Sequence, residues 1–255
     1  MDRMIYTALN ALSNQRDQRI TQAQNLANMN VPGFRRDLPN EGRTYFATAM
    51  ETATVRAFQT ELGPAGFSSA SGPLQQTGAE LDLAIVDEGY FFSMPDGDGD
   101  VALTRRGDLR RNVEGTLVNG AGDAILDQTM TPIQLEQYRD LTITDIGEIW
   151  IVPANAQPGA EPVLAGVIAT VVPEEGTVLR KGPDGQIRDP DGEVPFPNQL
   201  AKVNQGSLEG SNINTVEELI NSIDMQRNFE LNIRFVSNAQ KLDESSARLL
   251  RSPDS

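Results

Sequence analysis

The sequence predicts an α+β protein: a discontinuous helical domain supplied by both chain ends, and a central all-β domain. Three observations carry this expectation. Apolar residues recur at helical spacing near the N-terminus and again from about residue 215. Between those stretches the runs are short, β-branched or aromatic, and broken by Gly, Asn and Asp. Charge follows the same partition, with five Arg against two acids in residues 1–36 and five basic against eight acidic groups in residues 209–255. Those ends cancel, so the middle of the chain carries the whole formal net charge of −15.

In the first segment Ile5, Leu9, Leu12, Ile20, Ala23, Leu26 and Ala27 form a narrow apolar stripe, interrupted by Arg16 and Arg19. Asn28 and Asn30 tolerate the left-handed conformation of a helix end, Pro32 cannot continue a helix, and Pro32-Gly33 suits the centre of a type II turn. The helix is expected to stop near Asn28. Residues 37–74 have no sustained period and much Gly, Ser, Ala and Thr, and read as a linker or arm with room for one strand.

Strand character begins at Leu81–Phe92 and returns at Gly115–Asp127, Leu141–Val152 and Val163–Val172. Asn119-Gly120 and Pro183-Asp184-Gly185 are sequences that close tight turns. Residues 75–208 are therefore expected to form a small barrel or sandwich. Further on, Thr215 with Glu218 has the spacing of a capping box, ahead of Val216, Leu219, Ile220 and Ile223. Phe229, Ile233, Val236 and Leu242 continue that stripe less regularly. A helix of roughly 35 residues is about 50 Å long and projects beyond a small domain. Long helices with narrow stripes seek other helices, so residues 1–36 and 209–255 are read together as a coiled-coil-like terminal domain.

Composition removes whole classes of chemistry. With no His and no Cys, Ser-His-Asp, Cys-His and thiolate-zinc sites are excluded. The acidic balance argues against a nucleic-acid partner, which wants a basic stripe. No run of about eighteen apolar residues exists, so no membrane span is expected. The first residues lack the apolar run and cleavage site of a signal peptide, which by itself suggests the cytoplasm.

Candidate motifs reduce to turns and solvated surface. Asp96 to Val101 begins like a calcium loop, but Val101 stands where Gly is needed and Gly107 where Glu is needed. The glycines of Asn119–Leu126 lack a third partner and a strand-to-helix context. Glu80/Asp82 and Asp87/Glu88 are acid pairs of the kind a glycosidase uses, in a chain with 36 acidic residues where neighbours arise by chance. Arg105, Arg106, Arg110 and Arg111 suffice to bridge an acidic neighbour and are too few for nucleic acid. No catalytic, cofactor-binding or metal site is expected.

Four stretches, in order, resemble the flagellar basal-body rod and hook family of axial proteins. Tyr6–Asp37 is similar to its N-terminal signature, with the Asn-Leu-Ala-Asn helix end at Asn25 to Asn28 and the Gly-Phe-basic turn at Gly33, Phe34 and Arg35. Gly72–Phe92 and Leu103–Leu126 resemble its first β-domain strands and the next hairpin, and Gln205–Glu244 its C-terminal helix. Arg16 to Arg19 make the first helix more polar than the family's usual apolar stretch.

The resemblance implies a structural subunit of the periplasmic rod, the drive shaft that carries torque from rotor to hook. Its partners would be proximal and distal rod subunits, further copies of itself, and the flagellar type III export apparatus, through which it would pass without a cleaved signal peptide. On that reading Ile5, Leu9, Leu12, Leu26, Ile220, Ile223, Phe229, Ile233 and Val236 carry the packing between subunits. Three alternatives stand beside it: a helical hairpin that packs only on the monomer's own sheet, an exported cap or chaperone, and a secreted carbohydrate-active β-protein using two carboxylates.

Overall fold

The computed structural model describes residues 2–38, 66–95, 99–174, 176–182 and 184–250. It is an α+β protein with a β-rich centre. The chain divides into two compact units. The first comprises Met1–Ala27, Asp37–Gly66 and Asn214–Ser255; the second comprises Asn28–Arg36 and Phe67–Ile213. The acidic stretch at Asp96 to Asp98 and most of the proposed arm lie outside the described residues.

The first unit contains helix α1, Asp2–Ala27, and helix α2, Thr215–Leu250. Helix α1 ends one residue before the expected Asn28, at the start of a run of turns. At the start of α2 the capping residue is Asn214, not Thr215. Its Oδ1 accepts the backbone N–H groups of Val216 at 3.1 Å and Glu217 at 3.3 Å. Asn214 stands one position earlier, where a short side chain reaches the second and third helical N–H groups.

Among the described residues the second unit has fifteen strands. In chain order they are β1 Leu74–Gln76, β2 Leu83–Ile85, β3 Tyr90–Met94, β4 Ala102–Thr104, β5 Arg110–Arg111, β6 Leu117–Val118, β7 Ala124–Ile125 and β8 Tyr138–Ile143. There follow β9 Glu148–Pro153, β10 Val163–Val167, β11 Thr170–Val171, β12 Arg180–Lys181, β13 Ile187–Arg188, β14 Val203–Gln205 and β15 Ser207–Glu209. The largest sheet runs β12-β13-β4-β3-β7-β6-β5, with β11 paired to β3. β10-β9-β8 form a meander, and β1-β15 and β14-β2 pair the start of the unit with its end. All these pairings are antiparallel.

Strand alternation sorts the apolar side chains into two cores. On β3, Phe91 enters a cluster with Leu83, Ile125, Ile149 and Ile168, while Tyr90 and Phe92 enter another with Leu103, Leu126 and Val171. Adjacent residues of one strand point to opposite faces, so β3 serves both cores and its first four residues are buried. The expected Asn119-Gly120 turn closes β6 onto β7. Asn119 Oδ1 accepts the N–H groups of Ala121, Gly122 and Asp123 at 2.9, 3.0 and 3.0 Å.

Candidate functional site

Polar side chains tie the two helices of the first unit together. Gln15 Nε2 donates to the Met225 carbonyl at 3.3 Å, Asn232 Nδ2 donates to Gln15 Oε1 at 3.3 Å, and Gln22 Nε2 donates to the Glu218 carbonyl at 2.6 Å. The guanidinium of Arg19 lies 5.8 Å from the centre of the Phe229 ring, within cation–π range. Gln15 and Glu218 are buried at this seam.

The apolar stripe lies largely elsewhere. Ile220, Ile223 and Ile233 are 54, 46 and 48 % exposed, and Val216, Leu219 and Leu231 are also exposed. On α1, Leu26 is exposed and Leu12 half-buried; Phe229 and Val236 on α2 are half-buried. Ile5 and Leu9 occupy the first turns of α1. The structure thus brings Phe229 to the seam with α1 and leaves the α2 isoleucines facing outward. Such a row of large aliphatic side chains has a function only if something covers it.

The motif residues at the end of α1 and in the turns that follow it have definite structural tasks. Asn25 is 2 % exposed, and its amide pairs with the backbone of Asp37 as a neighbouring strand would. Nδ2 donates to the Asp37 carbonyl at 2.9 Å, and Oδ1 accepts the Asp37 N–H at 2.8 Å. In the second unit, the Asn28 carbonyl accepts the Val31 N–H at 3.1 Å. The next turn closes from Phe34 N–H to the Val31 carbonyl at 3.2 Å, with Gly33 at φ +67°, as the third residue of a type II turn requires. Gly33 N–H also donates to the Glu209 carbonyl at 2.8 Å. A Cβ on Gly33 would stand 2.3 Å from the carbonyl carbon and oxygen of Arg105, so close backbone approach requires glycine as well. Lys181 Nζ sits 3.6 Å from the centre of the Phe34 ring and donates to the Arg35 carbonyl at 3.0 Å.

The turn ends in a buried ionic node. Arg105 Nε meets Glu209 Oε2 at 2.6 Å, and Arg35 Nη1 meets Glu209 Oε1 at 3.1 Å. Gly72 N–H adds a bond to Oε1 at 2.8 Å. Two guanidiniums share one carboxylate, and backbone carbonyls absorb the excess positive charge. Arg105 donates to Asp87, Gly89 and Ile85 at 2.8, 2.8 and 3.2 Å, and Arg35 donates to Ala70. Burial pushes the Arg35 pKa down, Glu209 pulls it up, and Arg105 lowers it again. Burial also raises the pKa of the neighbouring Tyr90 hydroxyl. Beside the node, Asn212 accepts the Arg36 N–H at 2.7 Å and donates to the carbonyls of Ala70 at 2.7 Å and Ser68 at 3.2 Å. Residues 33–36, 68–72 and 209–212 are thereby stitched into one clamp within the β unit.

Sequence reasoning named Arg35 and Arg105 but assigned neither a partner, and it missed Glu209, Asn212 and Lys181. One signal was present: Glu209 is the sole charged residue between Lys202 and Glu217, an isolated acid in a Gly-, Ser- and Asn-rich stretch. Of the acid pairs considered for hydrolysis, Asp82 accepts the Thr77 hydroxyl at 2.6 Å, while Asp87 and Glu88 are exposed. Among the described residues no helix is long and apolar enough to cross a membrane.

Three family models match the chain, together covering more than half of it. "Flagella basal body rod protein" matches residues 5–35, "Flagellar hook protein FlgE/F/G D1 domain" residues 84–151, and "Flagellar basal body rod FlgEFG protein C-terminal" residues 204–249. The first and third of these ranges contain the motif turn and Glu209. Curated relatives align along nearly the whole chain. The flagellar basal-body rod protein FlgF of Caulobacter vibrioides is 28 % identical over 98 % of both chains. FlgF of Salmonella typhimurium is 28 % identical over 98 % of this chain and 99 % of its own. The flagellar basal-body rod protein FlgG of Bacillus subtilis is 26 % identical over 98 % of this chain and all of its own.

Proposed function

We propose, from the premise that this chain belongs to the flagellar basal-body rod protein family, that it enters the proximal part of the rod through its two terminal helices. The chain is a structural rod subunit of the FlgF kind, with FlgG the rival identity. The observation that carries the assembly mechanism is the exposed aliphatic row Ile220, Ile223 and Ile233 on α2. Neighbouring rod subunits cover that row. Ile5, Leu9, Leu12, Leu26, Phe229 and Val236 complete the packing; the helices form the coiled-coil-like part of the subunit, and residues 75–208 form its β domain.

Subunits related by a helical, non-closing operation stack into a shaft that carries torque. The unassembled chain is exported through the type III apparatus, and its helices gain further apolar contacts on assembly, when the exposed row of α2 is covered. The role is mechanical, with no catalysis; a saturable gain in thermal stability with one member of a sugar panel would contradict this.

The test is incorporation. The wild-type chain is expected in purified basal bodies, and Ile223→Asp is expected to be made with a folded β unit yet excluded from them. Normal incorporation of Ile223→Asp would overturn helix-mediated packing. Absence of the wild-type chain from basal bodies would overturn the rod assignment itself. Site-directed cross-linking in intact rods then separates proximal from distal position by identifying the neighbours.

A further inference from the structure

Phe196, on the segment that leaves β13, is a large aromatic side chain that the assembly mechanism leaves unused and that stands 90 % exposed. It is held there by construction. At the start of the segment the Asp189 carboxylate accepts the Asp191 N–H at 2.8 Å, and the Asp189 carbonyl accepts the Gly192 N–H at 3.1 Å. At its end the Asn198 amide pairs with both backbone groups of Val172, accepting at 3.0 Å and donating at 2.8 Å. Gln199 adopts φ +52°, a conformation that a non-glycine residue holds only when its surroundings enforce it. Its side chain accepts the Thr170 N–H and hydroxyl, both at 2.7 Å, and donates to the Ile168 carbonyl at 2.8 Å.

Between these anchors Phe196 is flanked by Pro195 and Pro197, which fix the backbone and remove its donors. A preorganised aromatic loses little conformational freedom when it docks. The chain before it carries Asp189, Asp191 and Glu193, so the loop is both apolar and acidic.

The complementary feature lies at the far end of the strand order. β5 closes the largest sheet at the end opposite β12 and β13. It supplies Arg110, exposed and without an ion pair among the described residues, and half-buried Arg111. Its hairpin tip carries Val113, fully exposed, beside the single acid Glu114. A basic hairpin with an apolar tip matches an acidic loop with an apolar tip, and both tips stand exposed among the described residues.

We propose that residues 189–200 form a docking arm whose partner is the β5–β6 hairpin of a second copy of this chain. The contact joins two different patches, so it is heterologous and propagates from copy to copy without closing. Phe196 is its anchor; the acids and Arg110 set its orientation and make it sensitive to salt. The proposal rests on the rod reading only in needing a neighbouring copy.

The chain has no Cys, so introduced cysteines report on one contact at a time. Val113→Cys and Val194→Cys chains are co-expressed, and basal bodies are isolated under mild oxidation. A disulfide-linked dimer that contains one chain of each kind is expected, with none between two Val113→Cys chains or two Val194→Cys chains. Adding Phe196→Ser is expected to lower the yield roughly tenfold, the scale for loss of a central aromatic anchor. Glu193→Lys should lower it as well, and Arg110→Glu in the partner chain should restore it. Basal bodies that contain both chains but no mixed dimer overturn the proposal, as does a cross-link from Val194→Cys to a protein of different mass. Absence of both chains from basal bodies overturns the rod reading instead.

Discussion

Arg35 and Glu209, from opposite ends of the sequence, form a 3.1 Å ion pair in which both side chains are at most 4 % exposed. Arg105 meets the other oxygen of the same carboxylate at 2.6 Å. The pair fixes where the chain enters and leaves the β unit, in the residues that continue to α1 and α2.

Removing the shared anion is expected to be severe. Glu209→Ala leaves two guanidiniums buried without their counter-charge, a change on the order of 3–5 kcal/mol for a broken buried pair. Urea denaturation of Glu209→Ala and Glu209→Gln should give lower midpoints, with Gln retaining more stability because it can still accept hydrogen bonds. An unchanged midpoint for Glu209→Ala would show that the node contributes nothing to stability.

Gly33 and Gly78 separate conformational strain from crowding. Both have positive φ, +67° and +74°, but Gly33 faces the Arg105 backbone and Gly78 faces open space. Gly78→Ala should cost roughly 1–2 kcal/mol, the scale for an L-residue held left-handed. Gly33→Ala should cost clearly more, because peptide atoms cannot move aside as a side chain can. Equal losses in thermal unfolding would remove the close-approach argument.

Hydrogen exchange on the dilute protein should divide along the clamp. The backbone amides of α1 and α2 are expected to exchange well ahead of β3, β7 and β9, because α2 exposes most of its apolar row. Residues 31–36 and 209–212 are expected to follow the slow β unit, since Gly33, Phe34 and Arg36 donate to partners inside it. Slow exchange throughout both helices would mean that the monomer completes its own helical core.

Acid sensitivity has an identifiable contributor at Asp127. Burial raises its pKa, but the N–H groups of Thr131 and Thr129 and their hydroxyls outweigh that and hold it below the ordinary 3.8. A carboxyl depressed on folding contributes stability that is present above the unfolded pKa and is lost as pH falls through the folded one. Asp127→Asn should therefore flatten the loss of stability below about pH 4, measured as thermal midpoint against pH; an unaltered slope would assign the acid transition to other carboxyls.

Much of the architecture was legible because it is written in local periodicity. The stripe from Ile5 to Ala27, the β-branched and aromatic run Leu81–Phe92 and the Asn119-Gly120 turn depend on neighbours a few residues away. The cap of α2 was misassigned by one position, because Thr215 and Asn214 are both capping residue types and only backbone geometry selects between them.

The sequence by itself determined the helical class of the two described ends and the strand class of the centre, the absence of His and Cys chemistry, and the motif turn after α1. Tertiary structure alone decided what that motif is for. Gly33 is required because the Arg105 backbone lies against it, Phe34 because Lys181 covers its ring, and Arg35 because Glu209 waits in the β unit. Periodicity is a property of neighbouring residues, whereas a charge buried against a partner far along the chain finds that partner only when the strands between them have folded.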